Sequence, residues 1–220
     1  MSSMFNMGGV STVTTVSNNF LPAGIHHVVF KGLDKSDKFN ALELNFEAVD
    51  GSGVHTERIF EPRSGERTES QFGTNPSEAE QFMCKIKQII SALDPELSKK
   101  LETDGDKFSA PDFDGFIKLL KKYLDKKVGT ETNIKLIPTT GSYVGFPGFI
   151  ARISKDGNLY MTTTVIGENL TLTAKETTAI ENAKNAKPTS MPHKADNDEL
   201  ADLKEEFSSA PEDDDSGLPF

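Results

Sequence analysis

Tryptophan is absent, tyrosine occurs three times and cysteine once, at position 84. The single thiol excludes an internal disulfide and leaves no second sulfur ligand for a zinc knuckle. Every apolar run falls far short of the ~18 residues that a bilayer crossing requires. Residues 1–19, rich in Ser, Thr, Val and Asn, lack the basic stretch and apolar block of a secretory signal, so the chain reads as intracellular. No Gly-rich phosphate loop ending in Gly-Lys-Ser/Thr is present, and no Gly-x-Ser-x-Gly nucleophile turn. The acids Asp104, Asp106, Asp112 and Asp114 lack the spacing of a calcium loop, and read instead as flanking an interhelical turn and capping the helix after it. His26 and His27, as neighbours on a strand, point to opposite faces and do not easily share a metal. Neither a catalytic residue nor a metal or cofactor is expected.

Charge is present but unevenly placed. The formal net charge is −10. From Pro188 onward, ten acids face two bases, Lys194 and Lys204, so this stretch alone carries −8. The preceding 187 residues hold 22 bases against 24 acids. The body is therefore close to neutral and free to present a basic groove, and an acidic overall balance does not exclude a polyanionic partner.

Periodicity assigns most of the body. Residues 1–20 read as a flexible arm, with a short edge strand at Thr12–Val16. A strand is expected over Ile25–Leu33. Leu42, Leu44, Phe46 and Ala48 alternate with Glu43, Asn45 and Glu47, the period of a half-buried strand. Asp50-Gly51-Ser52-Gly53 is a tight-turn composition, and Val54–Phe60 runs back from it to make a hairpin. A polar loop follows to Pro76. A helix starts near Ser77, with Phe82, Ile86, Ile89 and Leu93 on one face. A second helix spans Pro111–Lys127, stopping at Gly129. Strands resume at Asn133–Pro138, Phe149–Ser154 and Leu159–Ile166. Three strands, two helices and three strands point to a β-rich α+β fold, an OB-like β-barrel with a two-helix insertion, over residues 21–175. From 176 to 220 the chain reads as a linker and a disordered acidic tail, with marginal helices at Thr177–Ala186 and Asp198–Phe207.

The tail ends in Pro-Glu-Asp-Asp-Asp-Ser-Gly-Leu-Pro-Phe. Asp213, Asp214 and Asp215 resist burial, whereas Leu218, Pro219 and Phe220 form an apolar end with few rotors to freeze on docking. Acids upstream would steer such a peptide towards a basic surface. Three aspartates shortly before a terminal Pro-Phe resemble the tip of bacterial and bacteriophage single-stranded DNA-binding proteins; the Ser216-Gly217-Leu218 spacer is slightly longer than in the usual bacterial tip. The resemblance covers this tip and the general plan of β-rich body and acidic tail; the N-terminal sequence does not match that of the bacterial family, which favours a phage-type member over a housekeeping bacterial one. It implies an OB-fold body that binds single-stranded DNA and a tail that recruits replication and recombination proteins such as polymerase, helicase or primase. It also implies residence in the cytoplasm, that of a bacterial host if phage-encoded.

Binding to single strands needs cations along the phosphates and aromatic faces under the bases. Lys31, Lys35, Lys38 and Phe39 cluster at the first turn, and Arg58, Phe60, Arg63 and Arg67 form a second group. Tyr143 and Phe146 lie in the Gly-rich stretch Gly141–Phe149, with Arg152 and Lys155 after it. Each phenylalanine has core packing as its alternative role, and the Gly-aromatic stretch can equally be a tight hairpin packed on the barrel. A structural or virion-associated protein that uses the tail for assembly stays open as a second reading. Oligomeric state and the choice between DNA and RNA are not legible.

Overall fold

The computed structural model describes residues 19–71, 73–104, 108–139 and 143–185. The expected hairpin is present. Strand β2 (Ala41–Ala48) buries Leu42, Leu44, Phe46 and Ala48, and β3 (Val54–Phe60) buries His55, Glu57 and Ile59 while exposing Arg58 and Phe60. The two pair antiparallel from Ala41 opposite Phe60 to Glu47 opposite Val54. Strand β1 (Gly24–Lys35) pairs with two neighbours. Its second half meets β2 and its first half meets β6 (Glu131–Pro138), both antiparallel. The register slips between Phe30 and Gly32, leaving Lys31 as the extra residue of a β-bulge. Gly32 takes φ +133° there, where a side chain would be strained. Such a bulge bends the strand and strengthens its twist, which lets β1 serve both neighbours.

A short β7 (Val144–Gly145) completes the sheet in the order β3-β2-β1-β6-β7. Three consecutive strands followed by a fourth that returns beside the first make a Greek key. The five strands form a nearly closed, barrel-like antiparallel sheet in a mixed α+β protein. Its interior is filled by Phe30, Leu33, Leu44, Phe46, Ile134 and Leu136, among others. Small hairpins outside it are formed by β4 (Thr68–Ser70) with β5 (Gly73–Asn75), and by β8 (Ala151–Ile153) with β9 (Leu159–Met161).

Helix α1 (Glu78–Leu93) begins at the expected place. The Ser77 hydroxyl accepts from the Glu80 N–H, and the Glu80 carboxylate accepts from the Ser77 N–H, a reciprocal capping box. Phe82, Ile86, Ile89, Ile90 and Leu93 are buried. Helix α3 (Phe113–Leu124), capped by Asp112, runs into a 3-10 turn over Asp125–Lys127 and buries Ile117, Leu120 and Leu124. Rings of Phe113 and Phe116 pack on Phe82 at 5.9 and 5.6 Å, joining the helices.

Among the described residues the insertion contains three helices, not two. Helix α2 (Pro95–Asp104) lies between the other two, started by the Asp94 carboxylate, which accepts from the Leu97 N–H at 3.2 Å. Its sequence offers only Leu97 and Leu101 as apolar anchors, too few for a periodic signal. The later strands are shorter than expected because side chains of α1 take over their backbone partners. Gln81 donates to the Ala151 carbonyl and accepts from the N–H groups of Ile150 and Ala151. Two turns on, Gln88 donates to the Thr163 carbonyl and accepts from the Val165 N–H. The two ends of the segment from Ile150 to Val165 are thus bonded to a helix, while β8 and β9 pair with each other between them.

Helix α4 (Ala174–Asn185) opens with a second capping box, between Thr173 and Glu176. Glu176 also meets Lys135 of β6 at 3.0 Å. Lys135 is 2% exposed, and its ammonium further donates to Thr163 Oγ1 and the Thr171 carbonyl, so the buried charge is fully partnered. Burial pushes the Glu176 carboxyl up, but the Thr173 N–H and Lys135 outweigh it, and the net shift is below the ordinary value. A depressed carboxyl stabilises the fold above its unfolded pKa, and that stability is lost as pH falls through the folded value. Glu176→Ala is therefore expected to lower unfolding free energy by about 3 kcal/mol at pH 7, as for one side of a buried pair. The gap to the wild type should begin to narrow in urea titrations below about pH 4.5 and close only as pH falls through the lower folded value.

Candidate functional site

The end of β3, the loop after it, the first turns of α1 and the Gly148–Phe149 turn enclose a cleft of about 710 Å³. Arg58, Phe60, Arg63, Lys85 and Phe149 line it. Alternation puts Arg58 and Phe60 on the outer face of β3, opposite the buried Ile59. The Arg58 guanidinium lies 5.4 Å from the centre of the Phe39 ring, and Phe39 meets Phe60 edge-on at 6.1 Å. On the other side, Arg152 lies over Phe149 at 5.6 Å and reaches Asn75 Oδ1 at 3.4 Å. Phe60 and Phe149 are 58% and 64% exposed. Large rings left this open, each next to a cation–ring pair, form two platforms at one cleft.

Phe39, Arg58, Phe60 and Arg63 are thus brought together, with Arg152 joined to them through Phe149. Several expected cations are engaged elsewhere. Lys31 pairs with Glu47 at 2.8 Å and Lys35 with Asp114 of α3 at 2.6 Å. Arg58 bonds Glu43 at 2.7 Å, and this bond holds the Glu43 carboxyl below its usual range. Arg67 grips Glu80 with two nitrogens, lowering that carboxyl and raising its own pKa. Because Glu80 belongs to the α1 capping box, Arg67 fastens the loop to the helix. Lys38 and Lys155 are exposed in turns and make no ion pair among the described residues. The Arg63 side chain is also unpaired among them, while its backbone N–H donates to Glu78.

Two aromatic expectations part ways. Tyr143 is 74% exposed beside β7 and does not line the cleft. Phe146 is a correction: it is 3% exposed and packs on Phe46 and His55, each at 6.3 Å between ring centres. A ring enclosed in this way has no free face for a base. Asp213, Asp214, Asp215, Leu218, Pro219 and Phe220 lie outside the described residues, as do Thr12–Val16 and Asp198–Phe207.

Lys85 escaped the sequence reading, although its spacing carried a signal. It follows Phe82 by three and precedes Ile89 by four, a polar residue on an apolar stripe. Burial lowers its pKa, opposed by the Glu57 carboxylate. A second hollow of about 530 Å³, lined by Met83, Cys84, Ile90, Leu101, Phe108 and Leu159 among others, is mainly apolar and carries no cation–ring pair. Burial pushes the Cys84 thiol up, away from the reactive thiolate. Among the described residues no group of three or more His, Cys, Asp or Glu side chains is placed to hold a metal, and no helix is long and apolar enough to cross a membrane.

Comparison of the chain with models of protein families, with curated proteins and with solved structures found no match in any of the three. The cleft's chemistry therefore rests on its own residues. Phe60→Ala and Phe149→Ala should each change unfolding free energy by no more than about 0.5 kcal/mol, as exposed positions do. Phe146→Ala should cost about 3–5 kcal/mol. Urea denaturation of the three variants checks the division between surface and core.

Proposed function

We propose that the protein is a non-enzymatic single-stranded DNA-binding protein whose cleft between β3, α1 and the Gly148–Phe149 turn holds the strand. The observation that carries this reading is the pair of exposed rings, Phe60 and Phe149, each beside an arginine–phenylalanine contact at one cleft. Stacking needs only a π-face from each base and is tolerant of sequence, while cations meet the phosphates. The barrel supports the reading at the level of fold. OB folds are five-stranded, partly open Greek-key barrels that bind oligonucleotides on the second and third strands and adjoining loops. Here β2 and β3 carry the side chains of Phe39's neighbours Glu43 and Arg58, and Phe60 ends β3. We therefore read the barrel as OB-type with a three-helix insertion.

The tail supports the second half of the proposal. Asp213 to Asp215 followed by Leu218-Pro219-Phe220 have the chemistry of a docking peptide for replication or recombination proteins such as polymerase, helicase or primase. A bacterial cytoplasm, with a phage-encoded protein, fits that partner set. Confining −8 of the −10 charge to the last 33 residues also leaves the body able to meet a polyanion.

Fluorescence anisotropy with labelled single-stranded and duplex oligonucleotides over a salt series tests the body. The expected result is preference for the single strand, weakening as salt rises. Phe60→Ala and Phe149→Ala should each weaken it by about 1–3 kcal/mol. No binding at low salt would sink the proposal. For the tail, deletion of Ser209–Phe220 should preserve or raise affinity for the strand while abolishing capture of partner enzymes. Weaker strand binding after deletion would contradict an acidic tail that competes with DNA.

A further inference from the structure

Gln81, Lys85 and Gln88 follow one another at spacings of four and three, so they share one face of α1. The outer two are fully used: Gln81 and Gln88 each both donate to and accept from the backbone between Ile150 and Val165. Lys85, between them, has no hydrogen bond and no ion pair among the described residues. It is nonetheless half-buried and lines the same cleft as Phe60 and Phe149. A fold with no use for that charge would place an apolar residue there, next to Phe82 and Ile86, because an unpaired ammonium drawn out of water is destabilising. All other long cations near the cleft except Arg63 are engaged: Arg58 by Glu43, Arg67 by Glu80, and Arg152 by Asn75 and the Phe149 ring.

We infer that Lys85 is the anchor for a phosphate of the bound strand, lying under the backbone while Phe60 and Phe149 take bases to either side. This rests on the strand-binding reading and adds to it a residue on a helix, away from the strands and loops that supply the other contacts. Burial lowers the pKa of Lys85 even though the Glu57 carboxylate opposes the shift, which agrees with a cation whose charge is only partly countered in the free protein, a balance that an incoming phosphate would complete. Because the free protein carries the cost of this ammonium, stability and binding should respond to its removal in opposite directions.

The test compares wild type with Lys85→Met, Lys85→Arg and, as a surface-charge control, Lys99→Gln on α2. Each is titrated with a fluorescein-labelled oligothymidylate by anisotropy across a salt series, and melted in parallel. Lys85→Met is expected to weaken binding about five- to tenfold at low salt and to flatten the slope of log affinity on log salt by about 0.7–1, the share of one phosphate contact. Its melting temperature should be equal to or above that of the wild type. Lys85→Arg should restore the slope, and Lys99→Gln should leave both readouts unchanged. If wild type binds and Lys85→Met binds with the same slope, the anchor is wrong and the strand-binding reading survives. A Lys85→Met protein that melts well below the wild type assigns Lys85 a structural role and overturns the inference. If wild type itself does not bind, both fall.

Discussion

The carboxylate of Glu57 is the constraint on which the arrangement of the cleft depends. It is buried inside the barrel on β3, where an unsatisfied charge would be strongly destabilising. Its oxygen Oε2 is met by His55 Nε2 at 3.0 Å and accepts from the Phe146 N–H at 2.9 Å. The second of these joins β3 to the residue directly after β7, the two outer strands of the five-stranded sheet. The approach is close: a Cβ on Gly145 would stand 3.1 Å from the same oxygen, so the absence of a side chain there is a condition of the contact. Once β3 and the end of β7 are fixed to each other, Phe60 and the Gly148–Phe149 turn must come out on the same side. The cleft is thus a consequence of how the sheet is drawn together, not an addition to it.

The second constraint is the way α1 replaces a strand. Gln81 and Gln88 offer a carbonyl and an amide at a spacing of two turns, and Ile150, Ala151, Thr163 and Val165, at the ends of the segment that holds the β8–β9 hairpin, bond to them. This fixes the distance between α1 and the Phe149 turn, which are the far wall and the floor of the cleft. It also explains why a glutamine appears on the buried side of an amphipathic helix: a partnered amide satisfies backbone groups that would otherwise be buried unpaired. Lys135 does the same for the loop before α4, gathering Thr163, Thr171 and Glu176 around one ammonium.

These polar anchors mark the limit of what the residues announce in advance. The β2–β3 hairpin is legible because Leu42, Leu44, Phe46 and Ala48 alternate with polar residues, and the start of α1 because Ser77 and Glu80 have capping-box spacing. Both signals are local. Gln81, Gln88, Lys85 and Lys135 are polar residues on inward faces, and polarity alone reads as solvent-facing; the partners of Gln81, Gln88 and Lys135 lie 28 to 77 positions away. Helix α2 is hidden for a related reason: Pro95 after Asp94 looks like an ending, and only the packed α1 supplies the surface that holds Leu97. Phe146 was ambiguous between core and platform because a Gly-rich stretch imposes no periodicity. In the structure its own N–H donates to Glu57 and its ring packs on Phe46 and His55.

The exposed rings show what the ion pairs around them are for. Arg58 is held at Glu43 and lies on Phe39, whose ring in turn meets Phe60; Arg152 is held at Asn75 and lies on Phe149. Counted as phosphate contacts, such arginines are compromised, since their charge is already shared. Counted as positioning groups, they explain why large rings stand in water without collapsing onto the surface. A ring held in place loses less freedom when a base settles on it, so part of the ordering cost of binding is met during folding. For the proposed strand this divides the labour within the cleft. The arginine-supported rings carry stacking, and the unpaired cations, Arg63 at the rim and Lys85 on the helix, carry the charge. On the proposed reading, such a cleft would take its affinity from bases more than from phosphates, which suits a near-neutral body attached to an acidic tail.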